Sequence, residues 1–457
     1  MISPSPRVQK YHIVKMDKLK TIGVIGGGIM GIDIARRLSR EGYKVSIIES
    51  SPDLGGLVSI SRFGDYTWDK FYHVILPDDT YTLNMIKELG LENDLKWNKT
   101  KTGFFTNGSY FSMSDIIEFL KFPTLNLIDK FRLAVTILIG SYVGNYERLE
   151  TIPVTVWLKR WSGKNTYNRI WLPLLKAKLG EGYKLTSAAF ICATIKRLYG
   201  ARKKGAKKEI FGYVNGGYAH ILETIKEKII SENIKLVTNF KVAEINQRPD
   251  QNLKVISSEG REMNFNYVIS TLPSALTAKV CPELSDFELE KLKKTKYLGV
   301  VCLSLLLKKP LTPYYITNIT DDKIKFTGVI EITSLVGTSF FGGNSLVYLP
   351  KYVSSDDQLF DLTDQRLKDS FISSLKLMQP LIEDEEIIDC QVAKARFVFT
   401  LPEMGYSKDL PSFRTSVKNL FVINSSFITD GTLNVNETLE VSASYLHKVL
   451  NIIGNEE

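Results

Sequence analysis

Short continuous apolar runs alternate with longer stretches of mixed spacing along this chain, and the alternation predicts strands and helices in turn. Residues Thr21 to Ile25 (TIGVI) read as a buried strand, a helical stretch follows to about Glu41, and Lys44 to Ile48 (KVSII) read as a second strand. Gly42 stands where a helix commonly ends. Comparable signals return later: a helix from about Ala219 to Ser231, then strands at Ile234–Val237, Lys241–Ile245, Leu253–Ser257 and Tyr267–Thr271. Leu420 to Ser426 predicts a final strand, with a helix after it. Between these blocks, Phe104 to Phe111 predicts a hairpin about Asn107-Gly108. Further strands are expected at Gly299–Leu307, Gly328–Thr333 and Ser345–Leu349. Leu133 to Val143 is apolar but too short to cross a bilayer; it reads as a core helix or a membrane-dipping face, the core helix being favoured.

The turn between the first strand and first helix reads Gly26-Gly27-Gly28-Ile29-Met30-Gly31, the spacing G-x-G-x-x-G. Gly26 permits the tight turn, Gly28 lets a pyrophosphate approach the backbone, and Gly31 lets the helix pack close to the sheet. The helix N-terminus then offers free N–H groups to phosphate. Glu49 ends the second strand, where an acid accepts hydrogen bonds from the adenosine ribose and repels a 2′-phosphate. A second pair, Gly55-Gly56, follows at once. An NAD site does not need it; a flavin site does, because the chain must run back along the cofactor pyrophosphate.

With these residues the chain resembles the FAD-dependent amine oxidase and protoporphyrinogen oxidase superfamily, which has phytoene-desaturase-like and UDP-galactopyranose-mutase-like members. The resemblance extends from Lys20 to about Lys448, and most of the superfamily has Arg where this chain has Leu57. It implies an α/β fold: a discontinuous Rossmann-type FAD-binding domain with an inserted α+β substrate domain. The FAD-binding parts are expected at 20–100, 206–275 and 415–457, and the substrate parts at 101–205 and 276–414, behind a disordered leader at 1–19. Met16 is an alternative start. The resemblance implies a backbone contact to the adenine side from Val242, and flavin contacts from Leu57, Asn436 and Thr438. It also implies that the last helix aims its N-terminus at the pyrimidine end of the flavin.

Asp65 to Ile75 (DYTWDKFYHVI) is the segment that passes the flavin ring in related proteins. His73 is the first candidate for catalysis, since imidazole suits proton traffic near neutral pH. Tyr72 is the second, and Lys394 a distant third as a water-holding lysine. Trp157, Trp161 and Trp171 fall close together, either as helix packing or as the lining of a cavity for a large flat ligand. Glu331 interrupts an apolar run, which predicts either an exposed edge or a cavity.

Composition narrows the partners. A net charge of +9 suits an anionic substrate or an acidic membrane surface. No basic helix interleaved with aromatics and no zinc-finger spacing occurs, which argues against nucleic acid. The basic loop of Arg197, Arg202, Lys203, Lys204, Lys207 and Lys208 is expected to be solvated. The scattered Cys192, Cys281, Cys302 and Cys390 include no C-x-x-C, so no metal site is expected and buried thiols in a reducing compartment are. The expected protein is a cytoplasmic flavoenzyme with peripheral membrane contact in prospect, acting on a small-molecule or lipid-like substrate. It would remove hydride from a C–N or C–C position onto FAD. Two alternatives stay open: a non-redox mutase acting on a nucleotide sugar, and a flavin-binding protein without turnover.

Overall fold

A five-stranded parallel sheet carries the glycine turn, and its strands come from three distant parts of the chain. Its order is Leu420–Val422, Tyr267–Ser270, Thr21–Ile25 (β1), Lys44–Ile48 (β2) and Lys235–Val237. The computed structural model describes residues 20–114, 116–200 and 209–455. The expected leader at 1–19, Met16, and residues 202–208 of the basic loop therefore lie outside the described residues. Every strand of this sheet is parallel to its neighbours, and such sheets are covered on both faces. On one face lie the first helix, Ile29–Arg40 (α1), and the last, Val435–Asn455, sharing a core that includes Ile34, Leu38, Leu439 and Val449. On the other, Ile25, Ile48, Val268 and Leu420 pack with a three-stranded sheet formed by residues 242–265.

Arg36, on α1, is 4% exposed and meets both carboxylate oxygens of Glu232 at 3.0 Å. A buried guanidinium needs such a fork to offset its lost hydration. The pair fixes α1 to the end of the Gly217–Ser231 helix.

The second lobe is built on a seven-stranded sheet, in the order 387–400, 297–307, 345–354, 328–331, 316–319, 102–106 and 109–112. Its last hairpin turns at Asn107 and Gly108, both with positive φ (51° and 73°), as an Asn-Gly hairpin requires. The long strand Tyr297–Leu307 is buried throughout. Its side chains alternate: Val300, Cys302 and Leu306 face the first lobe, while Val301, Leu303 and Leu305 face the helix Asp364–Met378.

Helices from residues 116–200 form a further layer with its own core. Trp157 and Trp171 are buried in it and Trp161 packs on its margin, so the tryptophan group is helix packing. The apolar run expected as a core helix lies in Leu127–Tyr142, and only part of that helix is buried. Glu331 is neither at an exposed edge nor in a cavity. It is fully buried and accepts hydrogen bonds from the backbone N–H of Leu311 (3.2 Å) and Thr312 (2.9 Å) and from the Ser345 hydroxyl (2.9 Å). Burial pushes its pKa up to about 7 against those bonds. Lys394 is also away from the first lobe. Its Nζ donates to the Leu362 carbonyl and pairs with Asp364 at 3.1 Å, at the start of the helix on the sheet's far side.

Candidate cofactor and active site

The two glycine pairs lie against each other. Gly55 donates its N–H to the Gly27 carbonyl at 2.9 Å, and Gly28 and Gly55 form an isolated parallel bridge. Neither approach tolerates much side chain: a Cβ on Gly56 would lie 3.1 Å from the Gly28 Cα. Gly55 and Gly56 also adopt φ of 129° and 57°, where a side chain is disfavoured. A Cβ on Gly31 would stand 1.9 Å from the Gly26 carbonyl oxygen. A Cβ on Gly28 would meet nothing within 4 Å, so this position opens onto free space.

Helix α1 begins at Gly28 with no side-chain cap, which leaves its first N–H groups free at that opening. Glu49 is already engaged at the turn. One carboxylate oxygen accepts from the Gly27 N–H and the other from the Ser51 N–H, both at 2.7 Å. Beside it, Phe240 donates its N–H to the Glu49 carbonyl (2.9 Å) and Asn239 to that of Ser51 (3.1 Å). These bonds bring the strand starting at Val242 to the same edge.

The helix Gly217–Ser231 connects this cradle to the aromatic segment. Leu222 lies against the Gly55 turn, and one turn earlier Tyr218 packs edge-on to the His73 ring at a centroid distance of 5.0 Å. Asp69 organises the corner. It accepts the Tyr218 N–H at 2.7 Å through its carboxylate and the Tyr348 hydroxyl at 2.5 Å through its carbonyl. The His73 Nδ1 stands 3.7 Å from the Asp69 carboxylate, too far for a hydrogen bond. It is buried without a hydrogen-bond partner, as is the Trp68 Nε1.

Tyr72 points the other way, and its hydroxyl meets that of Tyr352 at 2.7 Å. Burial, and then the neighbouring Tyr352, hold the Tyr72 phenol well above the usual tyrosine range. It stays protonated near neutral pH and can orient a ligand but cannot act as a base. Lys178 reaches the same place from the helical layer, its Nζ 3.4 Å from the Tyr352 ring centroid and 5.2 Å from that of Phe399. Sequence reading missed Lys178, Tyr352 and Asp69, since only the fold brings these separate elements together.

A family model for flavin containing amine oxidoreductases matches residues 30–432. The chain belongs to that family. It is an FAD-dependent oxidoreductase with a Rossmann-type FAD-binding domain, as the glycine spacing implied. The flavin-dependent L-tryptophan oxidase RebO of Lentzea aerocolonigenes is 32% identical over 143 residues, covering 30% of this chain and 28% of RebO. An oxidoreductase from Methanosarcina mazei has a similar structure, with a TM-score of 0.72 at 17% identity over 93% of this chain and 100% of that one. Reduced UDP-galactopyranose mutase superposes with a TM-score of 0.71 at 16% identity, over 95% and 96% of the two chains. The two structural likenesses concern the fold alone.

The cradle fits the family's cofactor. An uncapped helix start, a glycine whose Cβ side is open and buried nitrogens without partners on Trp68 and His73 are features that such a group would satisfy. Leu57 is partly buried against the core cluster that holds Trp68 and Phe71 and supplies apolar surface there.

The C-terminal segment joins two helix starts. Asn434, not Asn436, caps the last helix, accepting the Glu437 N–H at 3.0 Å. The Asn436 side chain accepts the Tyr81 and Thr82 N–H groups (2.9 and 3.3 Å), so it caps the neighbouring helix Thr80–Leu89. The Thr438 hydroxyl donates back to the Asn434 carbonyl at 2.7 Å. Arg197, read as part of the exposed basic loop, is half-buried and grips the Asp79 carboxylate at 2.7 and 3.1 Å. It lines a cleft of about 630 Å³ together with Asp430, Glu437 and Glu440.

Proposed function

We propose that this family member removes hydride from a C–N or C–C position of a small or lipid-like substrate, delivering it to FAD bound along the Gly26–Gly31 and Gly55–Gly56 turns. The bound flavin supplies the electron-accepting chemistry. The protein's own residues do the rest. Gly28 and the free N–H groups of α1 hold the pyrophosphate, Glu49 and the Val242 backbone face the adenosine end, and Leu57 and Thr438 border the far end. His73 takes or holds a proton, with the Tyr218 ring packed against it and Asp69 fixing the Tyr218 backbone. Tyr72 and Tyr352 orient the substrate through their joined hydroxyls, and Lys178 adds a cation beside them. The carrying observation is the pair of interlocked glycine turns leading to a buried His73 Nδ1 without a hydrogen-bond partner.

The mutase reading keeps one specific support: the Tyr72–Tyr352–Lys178 group suits a sugar carrying phosphate. The test is to mix oxidised protein anaerobically with amines, amino acids, porphyrinogens, isoprenoids and nucleotide sugars, following flavin absorbance. Bleaching by one of the first four classes, followed by acceptor consumption, supports the oxidoreductase reading. No bleaching, with binding of UDP-sugars only to chemically reduced protein, replaces it with the mutase. Flavin retained with neither response leaves a binding protein.

A further inference from the structure

The helix Leu127–Tyr142 is apolar on both sides, yet only one side is covered. Its inner face is firmly seated: Leu133 and Thr136 are buried, and Gly140 lies so close to the 188–200 helix that a Cβ there would stand 2.9 Å from Ile195. Its start is capped by Asn126, and Asp129 is buried against Asn165 and Thr166. The outer face carries Leu127, Ile128, Phe131, Leu138 and Tyr142, all between 51% and 74% exposed. Residues 127, 131, 134, 138 and 142 recur at helical spacing, so they form one stripe. Ile117 and Leu120 of the preceding short helix are exposed as well, as is Val156 of the 154–166 helix that packs on the 127–142 helix. Scattered exposed apolar residues are ordinary; a continuous band of this kind marks an interaction surface.

The charges around the band select the partner. Lys121, Lys159, Arg160, Lys164 and Arg169 are exposed on these elements. Two contacts place Arg160 and Arg169 at its margin: Arg132 donates to the Arg160 carbonyl and Arg169 to that of Thr124. The acids on the helices 116–121, 127–142 and 154–166 are Glu118 and Asp129, and both are engaged with neighbouring polar groups. Two copies of the chain meeting face to face would bring like charges together. A bilayer with anionic headgroups meets both halves of the pattern, the apolar stripe entering the acyl boundary and the cations pairing with phosphate. Among the described residues no helix is long and apolar enough to cross a membrane, so the contact is one of lying on the surface.

We infer that the 117–142 face, rimmed by Lys121, Lys159 and Arg160, docks this protein on an anionic lipid surface. The inference does not depend on the reaction proposed above.

The test is sedimentation of the purified full-length holoprotein with vesicles of phosphatidylcholine alone or containing about one quarter phosphatidylglycerol. The protein is expected to sediment with the anionic vesicles, and less in high salt. The double variant Phe131→Asp/Leu138→Asp should lose about tenfold or more in vesicle affinity while keeping its flavin absorbance and melting temperature. The variant Lys159→Ser/Arg160→Ser should lose less and become insensitive to the anionic lipid. Wild-type protein left in the supernatant with both vesicle types would overturn the inference, as would apolar variants that sediment as well as wild type. A wild-type dimer that the apolar substitutions split, without vesicle binding, would assign the face to self-association instead.

Discussion

The Cα of Gly31 sits so close beneath the Gly26 carbonyl that a Cβ at position 31 would stand 1.9 Å from that oxygen. The obstacle is backbone in the turn itself, so nothing can swing aside. Gly31→Ala should therefore push α1 away from β1 and cost both stability and flavin. The expected result is poorly folded, colourless protein, checked by circular dichroism and by the visible spectrum.

Glu232 offers a test of how the first lobe holds together. Removing its carboxylate leaves Arg36 buried without its fork. Glu232→Ala is expected to destabilise the protein by about 3 kcal/mol in urea unfolding. A loss near zero would mean that Arg36 finds water instead.

The carboxyl of Glu331 should make stability fall as pH rises. Its folded pKa, about 7, is above the ordinary 4.5, so between those values the folded state holds a proton that the unfolded state has released. Stability contributed by the protonated form is fully present below about 4.5 and lost as pH rises to about 7, a change of roughly 3 kcal/mol. Glu331→Gln should flatten that part of the stability profile, measured by thermal unfolding across the window.

Asn436 and His73 should separate structure from chemistry. Asn436→Ala removes the cap of the Thr80–Leu89 helix and is expected to cost about 1 kcal/mol while leaving the flavin spectrum unchanged. A shifted flavin band would show that Asn436 touches the ring instead. For a substrate that bleaches the flavin, His73→Gln should lower the reductive rate by about a hundredfold or more and change its pH dependence. Tyr72→Phe should cost less than about tenfold and leave the pH profile in place, because that phenol stays protonated.

The sequence was most informative where the cause of a structure is local. The glycines at 26, 31, 55 and 56 obey steric demands of the backbone, and Asn107-Gly108 marks its hairpin by backbone conformation alone. The strands of the parallel sheet were equally legible, because each is a continuous apolar run. The misread residues depend on partners far along the chain. Arg197 looks like one member of a charge run until Asp79 is placed beside it. Glu331 could not be placed from an interrupted apolar run, since its hydrogen-bond donors lie in a loop and on a neighbouring strand. Lys178 gave no sequence signal, being one lysine among many before Tyr352 is brought under it.

The most direct measurement is the flavin content of wild-type protein beside that of Gly28→Val. A Cβ at position 28 meets no atom within 4 Å beyond its chain neighbours, so this variant is expected to fold as the wild type does when stripped of cofactor. Wild-type protein is predicted to be yellow with close to stoichiometric FAD, and Gly28→Val to be folded, colourless and unable to take up added FAD. A folded Gly28→Val protein with as much flavin as wild type would contradict the account.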